Sequence, residues 1–113
     1  MVTIRKIKEE EDLSKANGTS YHGRCVWCSI NDIVSVFGKP HYISPKSEKA
    51  QYEWILETSE GNIITLYDWK QYRNFDDDEV ICWHIGSHGR QAARLGEELI
   101  KMEINVRNLL NND

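Results

Sequence analysis

The sequence predicts an α+β domain in two layers, with an antiparallel sheet of about four to five strands and two helices packed on one of its faces. Three observations predict it. Gln51 to Thr58 alternates, with Tyr52, Trp54 and Leu56 on one face and Glu53, Ile55 and Glu57 on the other, and a second β-rich run from Ile63 to Trp69 follows a four-residue turn. Ile30, Ile33, Val34 and Phe37 recur at helical spacing behind Ser29. A further helical stripe, Ala92, Ala93, Leu95, Leu99, Ile100 and Met102, closes the chain. Strands and helices in this order bury one face of a sheet under a helical layer.

The elements follow in order. Val2 to Lys8 reads as a short strand with an imperfect period, and residues 1–16 as an N-terminal arm. Asn17-Gly18-Thr19-Ser20 is a turn. Tyr21 to Cys28 is a strand. Ser29 is a helix N-cap with Asp32 as its capping-box partner. The helix runs from Ile30 to Phe37, where Gly38 suits the position after its end and Pro40 prevents continuation. His41 to Lys49 reads as a polar loop. The hairpin turns at Ser59-Glu60-Gly61-Asn62. Val80 to Ile85 is a third sheet strand, broken by Gly86-Ser87-His88-Gly89. The last helix spans Arg90 to Met102, with a second short helix around Val106 to Leu110 and a tail over 104–113.

Composition narrows the function. A chain of 113 residues is one domain on length, and its 40% apolar content supports a core. A net charge of −4 argues against a dedicated binder of long nucleic acid, which needs a basic footprint. It leaves room for a small phosphorylated ligand, which needs only a few donors. The charged N-terminus has no signal-peptide pattern, and no apolar run reaches the roughly 20 residues of a membrane span. Three cysteines do not make a disulfide framework and read as free thiols of a reducing, cytoplasmic compartment.

Residues with chemical potential concentrate between Tyr67 and Arg90. Gly86-Ser87-His88-Gly89-Arg90, between a strand and a helix, could offer backbone N–H groups, Ser87 and His88 donors and the Arg90 charge to an anion. A simple turn with a capping serine explains the same residues. Tyr67 and Trp69 share one strand face while Asp68 and Lys70 share the other. Aromatic rings beside a lysine suit a base and its phosphate, although core packing of Tyr67 and Trp69 with Lys70 as a solvated edge charge is the commoner explanation of such a run. Cys82 and His84 lie on one strand face and Trp83 on the other, with His84 as a polar anchor or general base beside Asp68. Zinc held by Cys25, Cys28, Cys82 and His84 is disfavoured, because residues three apart on a strand point to opposite faces. No metal, cofactor or catalytic constellation is expected. The run Asp76-Asp77-Asp78-Glu79 reads as a solvated loop tip whose spacing does not suit Ca²⁺.

Several blocks together resemble a family of small, mostly uncharacterised proteins of bacteriophages and giant viruses. These are Gly18-Thr19-Ser20, Phe37-Gly38-Lys39-Pro40, Glu53-Trp54, Gly61, Tyr67-Asp68-Trp69-Lys70 and Trp83-His84-Ile85-Gly86, spread from about residue 17 to 100. The Tyr-Asp-Trp-Lys and Trp-His-Ile-Gly blocks are the most specific parts. Ser87 stands where the pattern has a second glycine. The resemblance implies a viral accessory or counter-defence role in the host cytoplasm.

The expectation that follows is a non-enzymatic protein that sequesters a phosphorylated, nucleotide-derived small molecule. Tyr67, Trp69 or Trp83 would stack the base, His84 would add a polar contact, and Lys70, Arg90 and the Gly86–Arg90 turn would hold phosphate. These residues would converge on the carboxyl ends of two neighbouring strands and one helix start. Two other readings stand beside it. One is a protein–protein inhibitor, comparable to an anti-CRISPR protein, that meets a host defence protein through Asp76 to Glu79. The other is a nucleotide-processing enzyme using His84 or His88. Uncovered apolar residues from Glu103 to Leu110 suggest a homodimer or higher oligomer.

Overall fold

The computed structural model of the chain describes residues 1–111. Its elements are β1 (Ile4–Lys6), a 3-10 turn (Leu13–Ala16), β2 (Ser20–Cys28), α1 (Ile30–Phe37), β3 (Tyr42–Ile43), β4 (Tyr52–Thr58), β5 (Ile63–Tyr67), β6 (Ile81–Ser87) and α2 (Arg90–Asn111). One antiparallel sheet runs in the order β1-β4-β5-β6-β2, and β3 pairs with β4 beyond β1. Both helices pack on one face, over a core that includes Val26, Ile33, Trp54, Leu56, Ile64, Leu66, Trp83, Ile85 and Ile100. This is the α+β two-layer architecture.

Two tryptophans fix the position of α1. The Trp54 and Trp83 rings meet edge to face, with centroids 5.6 Å apart at 76°. Both are fully buried. A buried indole N–H needs an acceptor. Trp83 donates to the Cys28 carbonyl just before the helix, and Trp54 donates to the Gly38 carbonyl just after it, each at 2.9 Å. The helix between them has the capping box its sequence predicts. The Asp32 N–H donates to Ser29 Oγ, and the Ser29 N–H donates to Asp32 Oδ2. Gly38 ends it with φ of 79°, a conformation that favours glycine.

The C-terminal helix differs from expectation. The structure has one helix of 22 residues where the sequence suggested two. No glycine or proline interrupts 97–111, and Ile104 continues the buried stripe of Ala93, Gly96 and Ile100. Gly96 lets the helix rest on β5, since a Cβ there would lie 2.8 Å from Ile64 Cδ1.

The segments read as arm and loop carry structure too. In residues 1–16, β1 pairs with β4, and Ile7 is buried with Ile55 and Ile63 under Leu13 and Ala16. That small cluster covers part of the sheet face away from the helices. In the loop after Pro40, β3 pairs with Tyr52 and Glu53. His41 completes this edge with its ring: Nδ1 accepts from the Ile55 N–H at 2.9 Å and Nε2 donates to the Ile7 carbonyl at 2.6 Å. Polar side chains that replace backbone partners leave no hydrophobic period to read.

Asp68 holds the start of β4. It is fully buried, and its Oδ1 accepts from the Gln51 and Tyr52 N–H groups at 2.8 Å each. Its Oδ2 has no partner among the described residues. Burial pushes the Asp68 carboxyl above its ordinary value, against the opposing pull of those N–H donors. The folded state therefore holds this proton more tightly than the unfolded state does. The associated stability is fully present below the unfolded value and is lost as pH rises through the folded one. Asp68→Asn keeps an oxygen for the two N–H groups and removes the charge. Its melting temperature relative to wild type should rise from pH 4 to pH 7. A difference that stays flat over that range would show that Asp68 ionisation carries no penalty.

Candidate functional site

Strand register places the candidate site on the sheet face that the helices leave free. Glu53 pairs with Tyr67, Tyr67 with His84 and His84 with Cys25, so these four form one row across β4, β5, β6 and β2. The next row joins Thr65, Gly86 and Tyr21. Because Trp83 is in the core, alternation turns Cys82 and His84 outward.

His84 is the centre of an aromatic cluster. Its ring stacks on Tyr21 with centroids 4.2 Å apart at 17°, and lies nearly parallel to Trp69 at 6.0 Å and 23°. Tyr67 meets both His84 and Trp69 edge to face, at 5.7 and 6.0 Å. Trp69 remains 38% exposed, so one indole surface is open. Burial lowers the His84 pKa below its ordinary value, which favours a neutral ring with one donor and one acceptor nitrogen at pH 7. Burial raises the Glu53 carboxyl, and Tyr67 is raised by burial and by the Glu53 charge. Beside Glu53, a cavity of about 290 Å³ opens between Tyr42, Ser44, Gln51 and Tyr52.

Lys70 joins this face rather than the one its strand position predicts. β5 ends at Tyr67, and Lys70 has φ of 53° while its N–H donates to the Lys49 carbonyl at 2.7 Å. The turn carries Nζ to 5.6 Å from the centre of the Trp69 ring. Tyr72 is also left-handed, with φ of 52°. Two non-glycine residues in that region within three positions mark a backbone held by its surroundings.

The structure separates the other expected residues from this cluster. Trp83 is a core residue. Ser87 is fully buried, and its hydroxyl donates to the Gly89 carbonyl. His88 Nε2 bonds the Lys15 carbonyl at 3.0 Å, and its ring packs beside Gly18, so it ties the 3-10 turn to the end of β6. Arg90 opens into a cleft with His22, Arg24 and Arg94. The expectation of convergence at two carboxyl ends fails for a simple reason. β5 and β6 are antiparallel, so Lys70 and the Gly86–Arg90 turn follow opposite ends of the pair. Asp68 faces the core, away from His84. Tyr21 and Glu53 are the residues that strand patterning alone missed, because they depend on which strands are neighbours.

Cysteine placement agrees with strand alternation. Cys28 is buried in the core, and burial pushes its thiol up to about 12. Cys25 and Cys82 lie on the open face. Burial, and then the Cys25 thiol beside it, push Cys82 up to about 12. Among the described residues, no three potential ligands gather in a metal-binding group. No helix of the described residues is long and apolar enough to cross a membrane. No protein-family model matches the sequence, and no curated protein matches it.

Gly86 forms the floor under the cluster. A Cβ at Gly86 would lie 2.3 Å from Thr65 Oγ1 and 3.5 Å from Tyr67 Cε1, whereas one at Gly89 would meet nothing within 4 Å. Gly86→Ala should therefore cost roughly 1–3 kcal/mol in urea unfolding, the usual range for overpacking. It should also change the near-ultraviolet circular dichroism of the cluster, with Gly89→Ala close to wild type in both. Equal stability of the two variants would contradict this packing.

Proposed function

We propose that the open sheet face captures a phosphorylated, nucleotide-derived small molecule without transforming it. The observation that carries this reading is the aromatic cluster around His84 with a lysine at its border. Trp69 offers an exposed ring for a base, and base–aromatic stacking contributes about 1–3 kcal/mol and tolerates different bases. The neutral His84 ring offers a donor and an acceptor to a base edge. Lys70 Nζ, above the same indole, supplies the charge for phosphate. One lysine serves a single small ligand and not a long polyanion, consistent with the net charge of −4. Arg90 belongs to a different cleft and takes no part in this site. Sequestration of a nucleotide signal would fit the viral counter-defence role that the sequence blocks imply.

Titration calorimetry with adenosine and guanosine monophosphates, cyclic dinucleotides and ADP-ribose tests the reading. At least one should bind. Trp69→Ala should weaken that ligand about tenfold or more, the loss of one stacking contact, with the far-ultraviolet circular dichroism of the fold retained. Lys70→Ala should weaken the phosphorylated ligand but not its nucleoside. Wild-type affinity in Trp69→Ala, or no binding by any of the panel, would refute the proposal.

A further inference from the structure

The strand β2 ends the sheet, and its outer edge has no partner among the described residues. The opposite edge is closed by the short strands β1 and β3, three and two residues long. β2 is nine residues long, and beyond the irregularity between Tyr21 and Arg24 it is regular to Cys28. A long unpaired edge presents a row of free N–H and C=O groups, which natural sheets normally cover or blunt.

α2 runs beside this edge in the same direction as β2. His22 and Arg24 line a cleft of about 210 Å³ with Arg90, Gln91 and Arg94 near the helix start. Val26, Trp27 and Cys28 line a second one of about 250 Å³ with Lys101, Ile104 and Asn105. A groove between helix and edge strand therefore follows β2 along its length. Its far end is apolar, lined by Val26, Cys28 and Ile104, while Trp27, which pairs with Cys82, stands 68% exposed on the other face of the sheet.

Charge changes sign along the same edge. At the amino end lie Arg24, Arg90 and Arg94. Arg24 and Arg94 each have an internal carboxylate at 3.5 Å, Glu97 and Glu98, while Arg90 forms no ion pair within the described residues. At the carboxyl end lies the loop Asp76-Asp77-Asp78, held there by the Asn31 N–H, which donates to the Asp77 carbonyl at 3.0 Å. All three aspartates are exposed and form no ion pair within the described residues.

We propose that the β2 edge is the interface for a second copy of this chain. The two β2 strands pair antiparallel about a two-fold axis near Val26, giving one continuous sheet with the two α2 helices side by side. Such an axis reverses one edge against the other. It brings the basic end of each copy to the acidic end of its mate, twice, and covers the apolar groove beside Val26 and Ile104. An edge of uniform charge would repel its own copy, whereas this bipolar one complements itself. The aromatic faces stay free in this arrangement, so the proposal stands independently of the ligand.

Sedimentation equilibrium tests it. Wild type should dimerise with a Kd tighter than about 100 µM. Arg90→Glu and Asp77→Lys should each be monomeric, with unchanged circular dichroism and melting. Mixed one to one, they should form a heterodimer, because each altered end then meets its complement. A monomeric wild type, single variants that remain dimers, or a mixture that stays monomeric would each overturn the proposal.

Discussion

The Trp54–Trp83 pair is the contact on which the rest of the arrangement depends. Each indole fills the space between sheet and helices, and each N–H has one backbone carbonyl available to it. Those carbonyls belong to Cys28 and Gly38, on either side of α1. The pair therefore fixes both ends of α1 against the sheet in one step. It also decides the opposite face. With Trp83 inward, strand alternation requires Cys82 and His84 to point outward. With Trp54 inward, it requires Glu53 and Ile55 to do so. A one-residue slip would bury His84 and expose two tryptophans, so core packing protects the register of the candidate site.

This division explains the sequence blocks residue by residue. In Trp83-His84-Ile85-Gly86, the first and third residues are core. The second is the centre of the aromatic cluster, and the fourth is the floor that admits the Tyr67 ring. In Tyr67-Asp68-Trp69-Lys70, Asp68 is buried and holds the start of β4, while its three neighbours belong to the open face. Each block mixes residues that build the fold with residues that the fold presents. Their density between positions 67 and 90 consequently overstated the size of a single site.

The most legible parts in the sequence were those governed by short-range chemistry. The α1 helix was readable residue by residue because its capping box, apolar spacing and Gly38-Lys39-Pro40 exit all lie within a dozen positions. The hairpin of β4 and β5 was readable from alternation and a turn. What stayed hidden depends on neighbours distant in sequence. Tyr21 joins His84 only because β2 pairs with β6. Lys70 joins Trp69 only because the chain turns left-handed at its own position. Arg90 leaves the cluster because antiparallel strands carry their loops to opposite ends. The edge strand β3 has two exposed residues and no apolar period, and the His41 ring substitutes for part of a strand.

Register brings Tyr21, Tyr67, Trp69, Lys70 and His84 together on the face opposite the helices, and we propose that this face is one ligand surface. Two-dimensional NMR during titration with the best-binding nucleotide of the panel examines it most directly. The account predicts shifts of the His84 ring, the Trp69 indole N–H and the Tyr21 and Tyr67 amides, with the buried Trp54 and Trp83 indole signals nearly still. Shifts concentrated instead on Ser87 to Arg94, with the His84 ring unmoved, would contradict it.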